Sequence, residues 1–307
     1  MAVACQGVQG ESTPPPAPRR ALRIAHTWED GGRFTAAFQS ELDRLMPDVD
    51  VTLAYSAAGI TNLSLLQRGE VDAVSTYADI AYMAMVGQLP AMDEPFGDLR
   101  AIAALPLRDL QVLVAPGSRI RGIHELRGRR VSLGPPGTGV AFTAALLLSA
   151  FGIGPGDIAA EHLAFDDAAE PLASGAIDAA FWGGRAPNPN IERVLSRGGR
   201  LLEIVGPEIN RVRSEYPFLR ASSIPPGTYP GVDGPVHTVG VDGLFACRAD
   251  LDDRYVYNIT HAFFRAVTEA GHHVRPLQRI NVSRAAATPL PLHPGAGRYY
   301  REAEMRR

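Results

Sequence analysis

The stretch Val131-Ser-Leu-Gly-Pro-Pro-Gly-Thr-Gly139 joins a short apolar run to a glycine-rich loop. A strongly apolar segment, 140–151, follows it and predicts a helix that ends at Gly152. A strand, a loop and a helix in this order are one repeat of an alternating α/β fold. The glycines of the loop and the hydroxyl of Thr138, placed at the start of the helix, would suit an anion.

This loop matches neither of the common phosphate-binding motifs. No Lys-Ser or Lys-Thr pair follows it, as a Walker loop requires, and the third glycine of the dinucleotide fingerprint is absent. Taken alone, the loop therefore identifies no particular ligand.

The alternation of strand and helix continues in both directions from this stretch. Apolar runs and alternating patterns predict strands at 21–25, 49–55, 71–74, 101–105, 111–115, 131–134, 177–181, 201–205 and 239–246. Helical spacing predicts helices at 34–45, 61–68, 123–126, 140–151 and 252–270. Three more helices are predicted: one capped by Ser75 and Thr76 that runs to Met85, one capped by Asn190 that runs to Ser196, and a last one containing Tyr299 and Tyr300. The pattern predicts an α/β fold with parallel-rich sheets covered by helices on both faces.

Size and charge limit the classes of function. The 307 residues suggest two compact lobes, and a net charge of −3 gives no reason to expect nucleic acid or an anionic membrane surface as a partner. All 30 basic residues are arginines, which excludes a lysine Schiff base and a P-loop lysine. No apolar run reaches the roughly 18 residues that span a bilayer.

The amino-terminal residues suggest an anchor. Ala2-Val-Ala-Cys5 has the small residue that precedes the cysteine of a bacterial lipoprotein, and residues 1–20 are predicted to be a flexible tether, with 6–20 rich in Gly, Pro, Ser and Thr. A disordered tail with an incidental cysteine explains the same residues equally well. The other cysteine, Cys247, is far away in sequence, so we expect neither a disulfide nor a metal site.

In open parallel sheets, ligands bind beyond the carboxyl ends of the strands, so the loops at those ends are candidate sites. Four of them carry suitable groups: the loop 26–34 with Trp28, Ser75 with Thr76, the loop 136–139, and Trp182 with its following glycines. Ordinary turns, helix caps and core packing are the alternative explanations.

Catalytic patterns are missing from the sequence. There is no Gly-x-Ser-x-Gly elbow, and His272-His273 lacks further ligands at metal spacing. No catalytic residue, metal or cofactor is predicted, and the chain is not expected to be an enzyme.

Several stretches together resemble one family, the TAXI-type solute receptors of TRAP transporters. The stretch Ile123-His-Glu-Leu-Arg-Gly-Arg-Arg-Val-Ser-Leu-Gly-Pro-Pro-Gly-Thr-Gly139 resembles the middle of these receptors. So do Gly69-Glu-Val-Asp-Ala-Val-Ser-Thr-Tyr-Ala-Asp79, Ser174-Gly-Ala-Ile-Asp-Ala-Ala-Phe181, Ile224-Pro-Pro-Gly-Thr-Tyr-Pro-Gly231 and Pro291-Leu-His-Pro-Gly-Ala-Gly-Arg-Tyr-Tyr-Arg301. The resemblance runs in order from about Ala21 to Arg301, and this order makes it specific.

The resemblance implies a two-lobed periplasmic-binding-protein fold of type II with a ligand cleft between the lobes. Residues 21–115 and 239–307 would form lobe 1 and residues 116–238 lobe 2, with hinge closure on the ligand. The protein would be an extracytoplasmic or periplasmic monomer, lipid-anchored through Cys5 if the cysteine is processed. It would pass a small carboxylate such as glutamate, glutamine or 2-oxoglutarate to a TRAP-type membrane permease.

The matching motifs and loops supply the predicted ligand-binding residues. They are Trp28, Asp30, Gly31, Gly32, Arg33, Phe34, Ser56, Ser75, Thr76, Tyr77, Pro136, Gly137, Thr138, Gly139, Trp182, Gly183 and Tyr229.

The first loop departs from the family pattern of small neutral groups and tyrosines. Glu29 or Asp30 could meet an ammonium group or repel an acid, and Arg33 could pair with a carboxylate. Trp28 and Trp182 together could sandwich a ring, so the predicted ligand is a small organic acid or amino acid that could contain a ring.

Two other classes of function remain open at the level of sequence. An enzyme could use the same bilobed fold, and a ligand-sensing module for signalling could have the same sequence pattern. A cytoplasmic role also remains open.

Overall fold

The computed structural model describes residues 19–28, 32–56, 59–89, 92, 94–271, 277–278 and 280–306. The predicted tether, Cys5, Glu29, Asp30 and Gly31 lie outside these residues. Among the described helices, none is long and apolar enough to cross a membrane.

Helices and strands alternate along most of the chain. The strands are β1 (Arg20–His26), β2 (Val49–Tyr55), β3 (Ala73–Tyr77), β4 (Leu99–Val114), β5 (Arg130–Ser132), β6 (Ala159–Glu161), β7 (Ala179–Gly184), β8 (Arg200–Leu202), β9 (Leu219–Ile224) and β10 (Val236–Arg248). The helices are α1 (Arg33–Leu45), α2 (Gly59–Gln67), α3 (Ala78–Met85), α4 (Gly139–Ala150), α5 (Phe165–Ala173), α6 (Pro189–Ser196), α7 (Pro207–Glu215), α8 (Asp253–Ala270), α9 (Val282–Ala285) and α10 (Pro294–Met305), with short 3-10 turns at Ile123–Leu126 and Pro155–Asp157.

The strands form one mixed sheet in the order β2-β1-β3-β10-β4-β7-β5-β6, with β8 paired to β4 and β9 to β10. The pairs β1–β2, β1–β3, β5–β6 and β5–β7 are parallel. The long strands β4 and β10 run antiparallel through the middle and join the two parallel groups. The predicted α/β class is confirmed. The sheet is mixed rather than parallel-rich, with four parallel and five antiparallel strand pairs among the described residues, because β4 and β10 run antiparallel to their neighbours.

A break in register marks the middle of the two long strands. Asp242 of β10 pairs with Leu107 and the next residue, Gly243, pairs with Leu105, so Pro106 has no partner. A proline cannot donate to a strand ladder, which explains the bulge. Side chains at this point would collide, because a Cβ on Gly243 would lie 2.8 Å from the Cβ of Leu105.

The buried apolar side chains of the described residues form four clusters, two on each side of this bulge; the two on one side are together called core A and the two on the other core B. Core A packs β1–β3, α1–α3 and α8–α10, and includes Phe38 and Phe263. Core B packs β5, β7–β9 and α4–α7, and includes Leu147 and Phe218. Both long strands contribute to both cores. The side chains of β4 pack into core A up to residue 105 and into core B from residue 110, and those of β10 pack into core B up to residue 241 and into core A from residue 244.

Most of the predicted elements agree with the structure, and the differences have physical reasons. Ser75 and Thr76 were predicted to cap a helix, but they belong to β3, because this strand continues along β10 as far as the pair Tyr77–Gly243. The strands predicted at 101–105 and 111–115 are one strand, because pairing with β10 continues past Pro106. The cap of α6 is Asn188, which accepts from the backbone of Asn190.

Candidate ligand-binding site

A cavity of about 340 Å³ lies where β4 and β10 pass from core A to core B. This volume is within the usual range for small-molecule sites. Its walls come from both sides of the bulge. The described lining residues are Thr27, Trp28, Phe34, Tyr55, Gly59, Thr76, Tyr77, Leu105, Pro106, Leu107, Arg108, Gly184, Arg185, Gly243, Phe263, Leu277 and Ile280.

One wall of the cavity is aromatic. Trp28 stacks on His26 with ring centroids 4.8 Å apart and meets Phe34 edge-on at 4.9 Å. Phe263 packs against Phe34 at 5.5 Å, also edge-on. Since these rings hold one another in place, the wall is preorganised for an apolar ligand surface.

Hydroxyl groups of β3 hold the loops beside the cavity. The Ser75 hydroxyl accepts from the backbone N–H of Thr27 at 2.7 Å and lies 3.0 Å from the Thr27 hydroxyl. The Thr76 hydroxyl donates to the carbonyl of Gly59 at 3.1 Å. Through these bonds the sheet fixes the loop after β1 and the first residue of α2, and both line the cavity.

An ion pair lies at the base of the cavity. Arg108 of β4 donates through Nη2 to Oδ2 of Asp79 at 2.5 Å, and the Asp79 side chain is fully buried. Thr143 of α4 donates to the same oxygen at 3.2 Å, and the Arg108 guanidinium lies 4.1 Å from the ring centre of Tyr77. Asp79 therefore connects α3 of core A with α4 of core B.

Two glycines permit this close approach. A Cβ on Gly139, the first residue of α4, would lie 2.3 Å from Asp79 Oδ2. A Cβ on Gly183 would lie 2.3 Å from Val140 and 3.1 Å from Cδ of Arg108. The two distances of 2.3 Å are far below van der Waals contact, so a residue larger than glycine at position 139 or 183 would push α4 away from α3 or β7.

The charged side chains in the described lining of the cavity are both basic. Arg108 and Arg185 are the charged residues of its described lining, and no carboxylate is among them. Asp79 balances Arg108, whereas Arg185 has no ion-pair partner in the part of the chain that the structure describes. Within the described residues, Arg108 donates to Asp79 through Nη2 only, so its other N–H groups could donate to a ligand.

Four of the predicted site residues, Trp28, Phe34, Thr76 and Tyr77, line the cavity. Ser75 lies behind them, and Gly139 and Gly183 are spacers beside Asp79 and Arg108. The predicted residues that do not line it are Gly32, Arg33, Ser56, Pro136, Gly137, Thr138, Trp182 and Tyr229. Asp30 and Gly31 are outside the described residues.

The structure does not bring the two tryptophans together. The side chain of Trp182 is buried in core B, where its N–H donates to the carbonyl of Phe165 at 3.1 Å. Tyr229 is buried in the same core, donates to Gln111 at 2.6 Å, and burial raises its pKa to about 12. Thr138 caps α4 by accepting from the N–H of Ala141. Core packing, the alternative explanation given for Trp182, agrees with the position of its ring, and Tyr229 and Thr138 have structural roles in the same part of the molecule.

Sequence reasoning missed Asp79, Arg108 and Arg185. Asp79 is the only charged residue in the otherwise apolar helix α3, and a buried carboxylate requires a cation or hydrogen bonds. That signal could have identified Asp79, whereas Arg108 shares β4 with the charged residues Arg100 and Asp109 and does not stand out in the same way. Arg185 follows the predicted Trp182-Gly-Gly184 loop, and nothing in its sequence context distinguishes it.

The fold and the cavity define a class: the chain has the mixed α/β fold of type II periplasmic binding proteins. The NMT1-like family matches residues 31–303, and the chain belongs to that family.

Three solved structures illustrate the likeness in fold. The periplasmic aliphatic sulphonate binding protein SsuA from Escherichia coli is 18% identical, with a TM-score of 0.53 over 92% of this chain and 83% of that chain. XAC2383 from Xanthomonas citri, solved with ATP, is 14% identical and has a TM-score of 0.57. The match covers 93% of this chain and 96% of XAC2383. PhnD1 from Prochlorococcus marinus, in complex with methylphosphonate, is 15% identical and has a TM-score of 0.51. The match covers 93% of this chain and 96% of PhnD1.

Proposed function

We propose that the protein is an extracytoplasmic solute-binding protein whose cavity between the two cores binds a small organic anion with an apolar, ring-sized body. The observation that carries this proposal is the position of Arg185, an exposed arginine that lines the same cavity as the aromatic wall and has no ion-pair partner among the described residues. A concave apolar site with a few polar groups is the usual form of a small-molecule site.

The charge of the cavity selects the kind of ligand. An anion would pair with Arg185 and could accept further hydrogen bonds from Arg108, and planar guanidinium groups match carboxylates and related oxyanions. An amino acid would also need a partner for its ammonium group, and the described lining offers no carboxylate. We therefore favour an aromatic or alicyclic carboxylate, sulfonate or phosphonate over glutamate or glutamine.

The relatives in fold support an extracytoplasmic binding role. One is named a periplasmic aliphatic sulphonate binding protein, and another was solved with methylphosphonate. Both names describe small organic oxyanions, the class that the charge of this cavity favours.

The delivery partner follows from the resemblance of the sequence motifs. The motifs 69–79, 123–139 and 291–301 resemble TAXI-type receptors, and a TRAP-type membrane permease is therefore the proposed recipient of the ligand. Anchoring through Cys5 belongs to the same proposal.

We also propose that the two cores are lobes that close on the ligand. The proposed hinge is the bulge at Pro106 with the adjacent residues Asp242 and Gly243, since both long strands pass from one core to the other at this point. Under this proposal the lobe boundaries would lie at about residues 106 and 242, whereas the boundaries predicted from the sequence are 115 and 239. Asp79 and Arg108 would hold the lobes together in the closed state.

Replacement of Arg185 by glutamine tests the proposed anion site. We expect the affinity for benzenesulfonate and benzoate, measured by titration calorimetry, to fall at least about tenfold, since hydrogen bonds to charged groups contribute roughly 1.5–3 kcal/mol. The matched control is Arg33→Gln, which removes an exposed arginine that was predicted from the sequence but does not line the cavity. This control should keep the wild-type affinity.

Two results would count against the proposal. One is an affinity that falls with Arg33→Gln and not with Arg185→Gln. The other is chemical conversion of the probe, which chromatography of the titrated solution would detect and which would favour the enzyme alternative.

A further inference from the structure

A second cavity, of about 510 Å³, lies against the same part of the hinge strands. Leu105, Pro106 and Leu107 of β4, together with Ile280, line both cavities, so the two cavities adjoin each other. The charged residues of the second cavity are different from those of the first.

Three arginines from three different elements line this second cavity. They are Arg213 of α7, Arg220 of β9 and Arg284 of α9, and the single carboxylate in its described lining is Asp242. In contrast to the first cavity, the described lining contains no aromatic side chain. Positive charge therefore predominates in the described lining, which offers little to a ring.

One of the three arginines is already neutralised and held in place. Nε of Arg220 donates to Oδ2 of Asp242 at 2.9 Å, and its Nη2 donates to the carbonyl of Ala287 at 3.0 Å. Asp242 therefore balances one positive charge, and two remain.

The other two arginines lack such partners. Arg213 makes only a long contact of 3.5 Å to the amide oxygen of Asn210, and its Nε is buried without an acceptor. Arg284 is exposed and forms no ion pair within the described ranges of the chain, so the buried unpaired N–H group of this cavity belongs to Arg213 alone. A buried N–H group without an acceptor is costly and rare in native proteins, so a partner from outside the chain would explain it.

We propose that this second cavity binds a multivalent oxyanion of the phosphate or sulfate type through Arg213 and Arg284. Such an anion offers several acceptor oxygens and the negative charge that two guanidinium groups need. Arg213 is on an element of core B and Arg284 on one of core A, so a single anion held by both would bridge the two cores. The proposal does not depend on which ligand the first cavity takes.

Titration calorimetry with inorganic phosphate and with sulfate, at constant ionic strength set by chloride, tests this site. We expect saturable binding to the wild type and a loss of at least about tenfold in affinity with Arg213→Gln or Arg284→Gln. The control is Arg211→Gln, which removes an exposed arginine of the same helix α7 that does not line the cavity. Arg185→Gln should also leave phosphate and sulfate affinity unchanged, because Arg185 lines only the first cavity.

Either of two results would overturn the proposal. The wild type could bind neither phosphate nor sulfate above the chloride background, or the affinity could be the same in both Arg213→Gln and Arg284→Gln as in Arg211→Gln. Circular dichroism melting of each variant shows that it is folded, and the use of two separate arginines keeps the test decisive if one variant is unstable.

Discussion

Replacement of Asp79 by alanine is expected to lower the free energy of unfolding by about 3 kcal/mol, the lower end of what is usual when one partner of a buried ion pair is removed. Asp79 is fully buried and neutralises Arg108, whose side chain is only 11% exposed. The change also leaves the hydroxyl of Thr143 without its acceptor. Because Arg108 borders the cavity and can turn toward water there, we expect the lower end of the range. Urea denaturation of the wild type and the variant measures the difference.

The control for this prediction is a surface ion pair. Arg197 donates to Glu170 at 2.8 Å, but both side chains are largely exposed, so Glu170→Ala should cost no more than about 1 kcal/mol. Equal losses for Asp79→Ala and Glu170→Ala would show that the Asp79–Arg108 pair does not connect the two cores as described.

Replacement of Gly139 by alanine is the second change with a large expected effect. The three atoms nearest to the added Cβ, at 2.3 to 2.7 Å, are all in the carboxylate of Asp79, which Arg108 and Thr143 hold in place. Either the ion pair breaks or α4 moves away from α3. Overpacking of this kind costs typically about 1–3 kcal/mol, and a displaced α4 should also weaken ligand binding.

A double-mutant cycle makes this prediction specific. With Asp79→Ala already present, adding Gly139→Ala should cost much less, because the colliding atoms are gone. As a control, Gly297→Ala in α10 meets only Arg301 Nη1 at 3.3 Å and should not destabilise the protein. Additive losses for Asp79→Ala and Gly139→Ala would mean that the two residues do not touch.

The order of strands and helices was predictable from sequence because it is encoded locally. Apolar runs predicted β1 and α4, alternation predicted β2, and helical spacing predicted α1 and α8, all close to their observed bounds. Local patterns could not show how far a strand extends. The length of β3 depends on its partner β10, and β4 continues through Pro106 because its neighbours continue.

The candidate site was predictable where it is made of loops after strands, and not where it depends on pairing across the sheet. Trp28 and Phe34 line the cavity as expected for the loop that follows β1. Trp182 is in a similar position in sequence, yet its ring is buried in core B, because β7 is an interior strand between β4 and β5. The Asp79–Arg108 pair joins residues 29 positions apart, and only the packing of α3 against the hinge strands brings them together.

The most direct test of the central claim compares benzoate with its neutral isostere benzamide. Wild-type protein, unfolded and refolded to remove any carried ligand, would be titrated with each by calorimetry. If the cavity beside Arg185 and Arg108 binds organic anions, benzoate should bind at least about tenfold more tightly than benzamide, since benzamide has no negative charge and replaces one acceptor oxygen by an NH2 donor. Equal affinity for the two compounds, or tighter binding of benzamide, would contradict the account.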